Sequence, residues 1–173
     1  MCYERAKEGF VRLLGENSAK AFMVATQIPS EEEAIAEYRR LWEMAKVSLP
    51  DEAVTYDVAN QLGARLQEKG KHEEAKALYL AALEGKRRVL AEEHRETLNS
   101  LNYMGLVLSA MEDYGGALDY HQQTLSVQEK VLGKTRPYTL ITIEGMACAY
   151  QVGLKEFIKA EEMYRLTLDG REK

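Results

Sequence analysis

Residues 97–108 read Thr97-Leu98-Asn99-Ser100-Leu101-Asn102-Tyr103-Met104-Gly105-Leu106-Val107-Leu108. Leu98, Leu101, Met104, Leu108 and Met111 step by three or four, which lays one apolar face along an α-helix. The same pattern stands 42 residues to either side. Thr97 has counterparts in Thr55 and Thr139, Leu98 in Tyr56 and Leu140, and Leu101 in Ala59 and Ile143. Met104 matches Leu62 and Met146, Gly105 matches Gly63 and Ala147, and Leu108 matches Leu66 and Tyr150. Registers that move in lockstep mark an internal repeat. A fixed period of this size means stacked helical units, none of which buries its apolar face alone. Ala75 and Ala117 keep the step, whereas Ala160 arrives one residue late.

A turn at Glu112-Asp113 follows the quoted helix, and Tyr114, Ala117, Leu118, His121, Leu125 and Val131 mark a second one. The loop Leu132-Gly133-Lys134-Thr135-Arg136-Pro137 ends it. Gly133 suits the left-handed position past a helix end. Pro137 suits the first turn of the next helix, and Thr135 is its expected cap. The unit is therefore a helical hairpin. Helices are expected over 2–13, 18–28, 31–47, 52–69, 72–90, 95–111, 114–131, 137–152 and 156–172, about nine in all. Ser30 followed by Glu33 forms a capping-box pattern, and Leu49-Pro50-Asp51 is a break with Asp51 as the expected cap beyond it. Residues 1–49 read as irregular helices and 50–173 as regular repeats, continuous in one solenoid. The last hairpin stops after its second helix, as a piece of a longer array would.

Of the 173 residues, 46% are hydrophobic and 29% charged, in the range of a water-exposed globular chain. A net charge of −5 argues against a nucleic-acid phosphate binder. No apolar run approaches ~18 residues, so no membrane insertion is expected. The charged N-terminal stretch does not read as a secretory signal. Cys2 and Cys148 fall on separate repeats, so a reducing cytoplasm rather than a disulfide framework is expected.

Candidate chemistry is sparse. Gly15-Glu16-Asn17-Ser18-Ala19-Lys20 lacks the second glycine and the Ser/Thr of a phosphate-binding loop and reads as a turn. His72, His94 and His121 have no partner at metal-ligand spacing, so neither metal nor cofactor is expected. His121 takes the register of Tyr79 and Tyr164 and reads as a packed core residue with one hydrogen-bonded nitrogen. Tyr38, Tyr79 and Tyr164 read as core by the same register, and Trp42 by the register of Leu83, Leu125 and Leu168. Glu31-Glu32-Glu33 and Lys86-Arg87-Arg88 lie near opposite ends of helices, where each complements the macrodipole. No catalytic motif is present, and an enzyme is not expected.

Three strings carry a family resemblance: Ala59-x-x-Leu62-Gly63-x-x-Leu66 leading to Ala75-x-x-x-Tyr79, Leu101-x-x-Met104-Gly105-x-x-Leu108 leading to Ala117-x-x-x-His121, and Ile143-x-x-Met146-Ala147-x-x-Tyr150 leading to Ala160-x-x-x-Tyr164. They resemble the tetratricopeptide repeat, with a small residue where two helices cross closely. The long period and the junction Val131-Leu132-Gly133-Lys134-Thr135-Arg136-Pro137-Tyr138-Thr139-Leu140 resemble the kinesin-light-chain-like subtype. The earlier junction, Val89 to Leu98, keeps its histidine, His94, but has Arg95 in place of the proline. The resemblance implies an all-α, right-handed solenoid of antiparallel hairpins that binds a protein or peptide.

In that family the first helix of each hairpin lines a concave groove. The resemblance places Asp57, Asn60, Ala64, Gln67 and Glu68 there in one repeat, and Asn99, Asn102, Leu106, Ser109 and Ala110 in the next. Ile141, Glu144, Cys148, Gln151 and Val152 follow in the third. Asn60 and Asn102 would offer amide groups to a peptide backbone, while Leu106, Ile141, Cys148 and Val152 would form an apolar floor. None of these residues is Lys or Arg, so no clamp for a terminal carboxylate is expected. Asp57, Glu68 and Glu144 would favour a neutral or basic peptide. The favoured reading is a non-catalytic peptide-binding scaffold. The alternatives are self-assembly as a homodimer through an uncapped last helix bearing Phe157, Met163, Tyr164 and Leu168, and an architectural or sensor array of a larger multidomain protein.

Overall fold

The computed structural model describes residues 30–171. They hold seven α-helices rather than nine; the two expected over 2–13 and 18–28 lie outside the described residues. The helices are α1 (Glu31–Ser48), α2 (Ala53–Glu68), α3 (His72–Leu90), α4 (Arg95–Ala110), α5 (Tyr114–Val131), α6 (Pro137–Cys148) and α7 (Phe157–Arg171). A π-helical turn, Ala149–Gly153, separates α6 from α7. Two compact units divide between Val89 and Leu90.

In the first unit, α1 begins on the expected cap: Ser30 accepts from the Glu33 N–H at 3.3 Å. Its buried residues Ala34, Tyr38, Leu41 and Ala45 step by four, three and four. Trp42 packs half-buried against the cluster of Tyr56, Ala59 and Ala82. The α2–α3 crossing is close because Gly63 has no side chain: a Cβ there would lie 2.6 Å from the Tyr79 ring.

The second unit stacks α4 on α5, α5 on α6 and α6 on α7. Gly105 of α4 and Gly145 of α6 both face the His121 ring of α5; a Cβ on either would approach it to within 2.7 Å. Tyr114 packs beside Leu118, Met146 and Ala149.

The lockstep threonines have a common task. Thr55, Thr97 and Thr139 donate their hydroxyls to the carbonyls of Leu49, Ala91 and Gly133, at 2.6, 2.8 and 2.8 Å, closing each junction loop. This corrects two expected caps. Asp51 does not cap α2, whose N-cap is Glu52 without a side-chain bond. Thr135 does not cap α6, whose N-cap is Arg136, likewise without one. A hydroxyl inside each helix secures the junction by reaching back, and Asp51 pairs instead with Arg88 at 3.3 Å. Pro137 does open α6, and Gly133 is left-handed at φ +98°.

Within the hairpins, Gly70, Glu112 and Lys155 take the left-handed conformation. The next N–H, of Lys71, Asp113 or Glu156, returns to Leu66, Leu108 or Tyr150 at 2.9 Å in each case. The third return spans one residue more than the other two. The π-turn Ala149–Gly153 absorbs that insertion, which is why Ala160 arrives late in the repeat.

Candidate functional site

Residues 97–110 and 137–153, the body of α4 and of α6 with its π-turn, carry a single charged residue, Glu144, in a chain that is 29% charged. Where such segments are not buried they present neutral polar and apolar groups. Leu106 of α4 is 39% exposed; Ile141 of α6 is 44% and Val152 of the π-turn 55% exposed. Cys148 is an exposed free thiol. Ile141, Glu144, Cys148 and Gln151 or Val152 step by three or four along one side of α6 and its continuation.

The structure brings Asn99, Asn102, Leu106 and Ser109 onto α4, and Ile141, Glu144, Cys148 and Gln151 onto α6 and the π-turn, in the same unit and on neighbouring helices. Asp57, Asn60, Ala64 and Gln67 lie on α2 in the first unit. Their surroundings differ. Asn60 is buried, 4% exposed, and Ala64 half-buried. Asp57 pairs with the ammonium of Lys86, a side chain that is itself buried. Gln67 Oε1 accepts from the Tyr79 hydroxyl at 3.2 Å, and Gln151 Oε1 accepts from Tyr164 at 3.0 Å. Glu144 pairs with Arg171 at 2.6 Å. Tyr164 is exposed rather than core, because no described element covers the outer side of α7. Burial nevertheless raises its pKa, helped by the neighbouring Cys148 and Glu144.

Asn102 stands at the junction of α4, α5 and α6. Its Oδ1 lies 3.1 Å from His121 Nδ1 and 3.3 Å from the Thr142 hydroxyl, which donates to Gln128 Oε1 at 2.8 Å. With Oδ1 as acceptor the imidazole proton sits on Nδ1. Among the described residues, His121 Nε2 then faces glycine-lined packing with no hydrogen-bond partner. Burial pushes the His121 pKa down to about 4, so the ring is neutral at pH 7. The core reading of His121 is correct, at 0% exposure.

Lys86, Arg171, Thr142 and Gln128 escaped the sequence reading. Lys86 had a legible signal: it continues the stripe of Tyr79, Ala82 and Leu83, which puts it on the buried side of α3. Reading it within a basic run at a helix end concealed this. Among the described residues no group of three or more His, Cys, Asp or Glu is placed to hold a metal ion, and no described helix is long and apolar enough to cross a membrane.

The tetratricopeptide repeat profile matches residues 51–130 and 96–173. Among curated proteins none matches the sequence. Among solved structures, the chain is similar to BtubC (BKLC) from P. vanneervenii, with 15% identity, a TM-score of 0.77, and coverage of 98% of this chain and 71% of that one. It is also similar to a Podosopora anserina putative kinesin light chain of nearly identical TPR-like repeats. A point-substituted form of that protein gives 19% identity, a TM-score of 0.74 and coverage of 92% and 74%. A second structure of it gives 17%, 0.69, and 98% and 93%. At these identities the likeness concerns the fold.

Proposed function

The chain belongs to the tetratricopeptide repeat family, and on that premise we propose that it is a non-catalytic interaction scaffold holding a peptide segment of a partner protein on the first helices of its hairpins. The observation that carries this reading is the exposure of Leu106, Ile141, Cys148 and Val152 on neighbouring helices that are otherwise almost free of charge. Exposed apolar groups on neighbouring helices are what a partner segment would cover. Asn99 and Ser109 flank them as neutral polar contacts.

A second reading, self-assembly, has its own support: Phe157 is 63% and Ile158 77% exposed on α7, with Leu166 and Leu168 also exposed. One experiment separates the two. Backbone-amide NMR of the full chain is recorded on dilution and on titration with pooled peptides. Peptide-dependent shifts at Leu106, Ile141, Cys148 and Val152 support the interaction face. Concentration-dependent shifts at Phe157, Ile158 and Leu168, with no response to peptide, move the function to self-assembly.

A further inference from the structure

Resting on that interaction face, we infer that the segment it holds is uncharged and apolar, and that its carbonyl oxygens are read by side-chain amide N–H groups. Two independent features of the second unit lead there.

The first is charge. Glu144 is the one ionic group in residues 97–110 and 137–153, and it is neutralised by Arg171 at 2.6 Å. At the edge of α4, Arg95 is engaged with Tyr138, stacking at 4.7 Å from the ring centroid and donating to its hydroxyl. A basic segment meets no unpaired carboxylate on these described residues, and an acidic one meets no unpaired cation. Either would leave water without compensation, which disfavours charged ligands of both signs.

The second is the direction of the amides. Asn102 and Gln151 each have their oxygen occupied inside the fold, by the His121 Nδ1–H in one case and by the Tyr164 hydroxyl in the other. Each –NH2 group is left outside these bonds. An amide fixed by its oxygen presents donors only, and donors select acceptors. On a peptide without charged side chains the acceptors are backbone carbonyls and the oxygens of Ser, Thr, Asn and Gln. Leu106, Ile141, Cys148 and Val152 then supply apolar contacts between the donors. The expectation of a neutral or basic preference, drawn from Asp57, Glu68 and Glu144, narrows to neutral on this face, where Glu144 is the one carboxylate and is paired within the fold; Asp57 and Glu68 belong to α2 in the first unit.

The test uses the full chain and three immobilised random peptide libraries. One is built from Ala, Leu, Val, Ser and Asn, the second adds Asp and Glu, and the third adds Lys and Arg. Hits are remeasured in solution at about 50 and about 500 mM salt, which brackets weak and strong screening. The inference expects hits from the neutral library, with Kd constant within about twofold across salt and weakened about tenfold or more by Leu106→Glu or Val152→Glu. Circular dichroism and melting of both variants, which alter exposed positions, verify that they fold. Hits confined to a charged library, with Kd rising steeply with salt, overturn the inference and leave the interaction face standing. No hits, or hits indifferent to both substitutions, overturn the face itself.

Discussion

Thr97 donates its hydroxyl to the carbonyl of Ala91 at 2.8 Å, and Ala91 is held at φ +74° to receive it. The same register holds Gly133, at φ +98°, beneath Thr139. Left-handed backbone costs an L-residue about 1–2 kcal/mol, whereas glycine adopts it freely. Ala91→Gly relieves that strain and is expected to stabilise the chain by about 0.5–1 kcal/mol despite the greater freedom glycine gives the unfolded chain. Gly133→Ala should destabilise by a similar amount. Urea denaturation of the two variants checks the pair, and opposite signs are the expected result.

Asp57 faces Lys86, an ammonium on the buried side of α3. Removing the carboxylate takes a close counter-charge from an ammonium that water does not reach, and breaking such pairs is destabilising. Because Asp57 keeps 27% of its side chain exposed, the expected loss for Asp57→Ala is about 2 kcal/mol rather than the full buried-pair figure. Lys86→Met, which removes the buried charge and keeps the apolar stem, should lose less. Equal losses in denaturation midpoints would refute the buried-charge argument.

The repeat, the hairpin turns and the close crossing at Gly105 were legible because each follows from local rules. Periodicity selects the helices, left-handed positions end them, and a small residue permits the crossing. The junction threonines were visible as a pattern but not as hydroxyls, since a bond six residues back is not part of any capping rule. Ala160, one residue late, announced the insertion; only the backbone shows that a π-turn at Ala149–Gly153 takes it up. The candidate face was legible as a set of positions, but not in its electrostatics. The Asp57–Lys86 and Glu144–Arg171 pairs join first and second helices, and the rotation of one helix against the other fixes which side chains meet.

His121 links stability to acidity. Its pKa in the folded chain is about 4, below the ordinary value of 6.5, so the unfolded chain takes up a proton first as pH falls. The neutral ring is fully compatible with folding above pH ~6.5. Between there and pH ~4 stability declines, by at most about 3 kcal/mol from this group. His121→Tyr, which restores the side chain of the registers at Tyr79 and Tyr164, should flatten that decline. The check is melting temperature against pH for both proteins: a wild-type slope in this window no steeper than the variant's would refute the assignment.

Asn102 separates a structural role from a recognition role. Among the described residues, its Oδ1 is the acceptor for the only hydrogen bond made by the His121 ring, within a network that also includes Thr142 and Gln128. The Asn102→Ala variant leaves the Nδ1–H of a fully buried imidazole without a partner, and an orphaned buried donor costs about 1–3 kcal/mol. Asn102→Asp restores an acceptor of the same shape and should recover part of that loss. Leu106→Ala, at an exposed position one helical turn away, should stay within about 0.5 kcal/mol of wild type. Thermal melts of the three variants decide the matter: if Asn102→Ala melts like wild type, the bond to His121 does not hold the hairpins together.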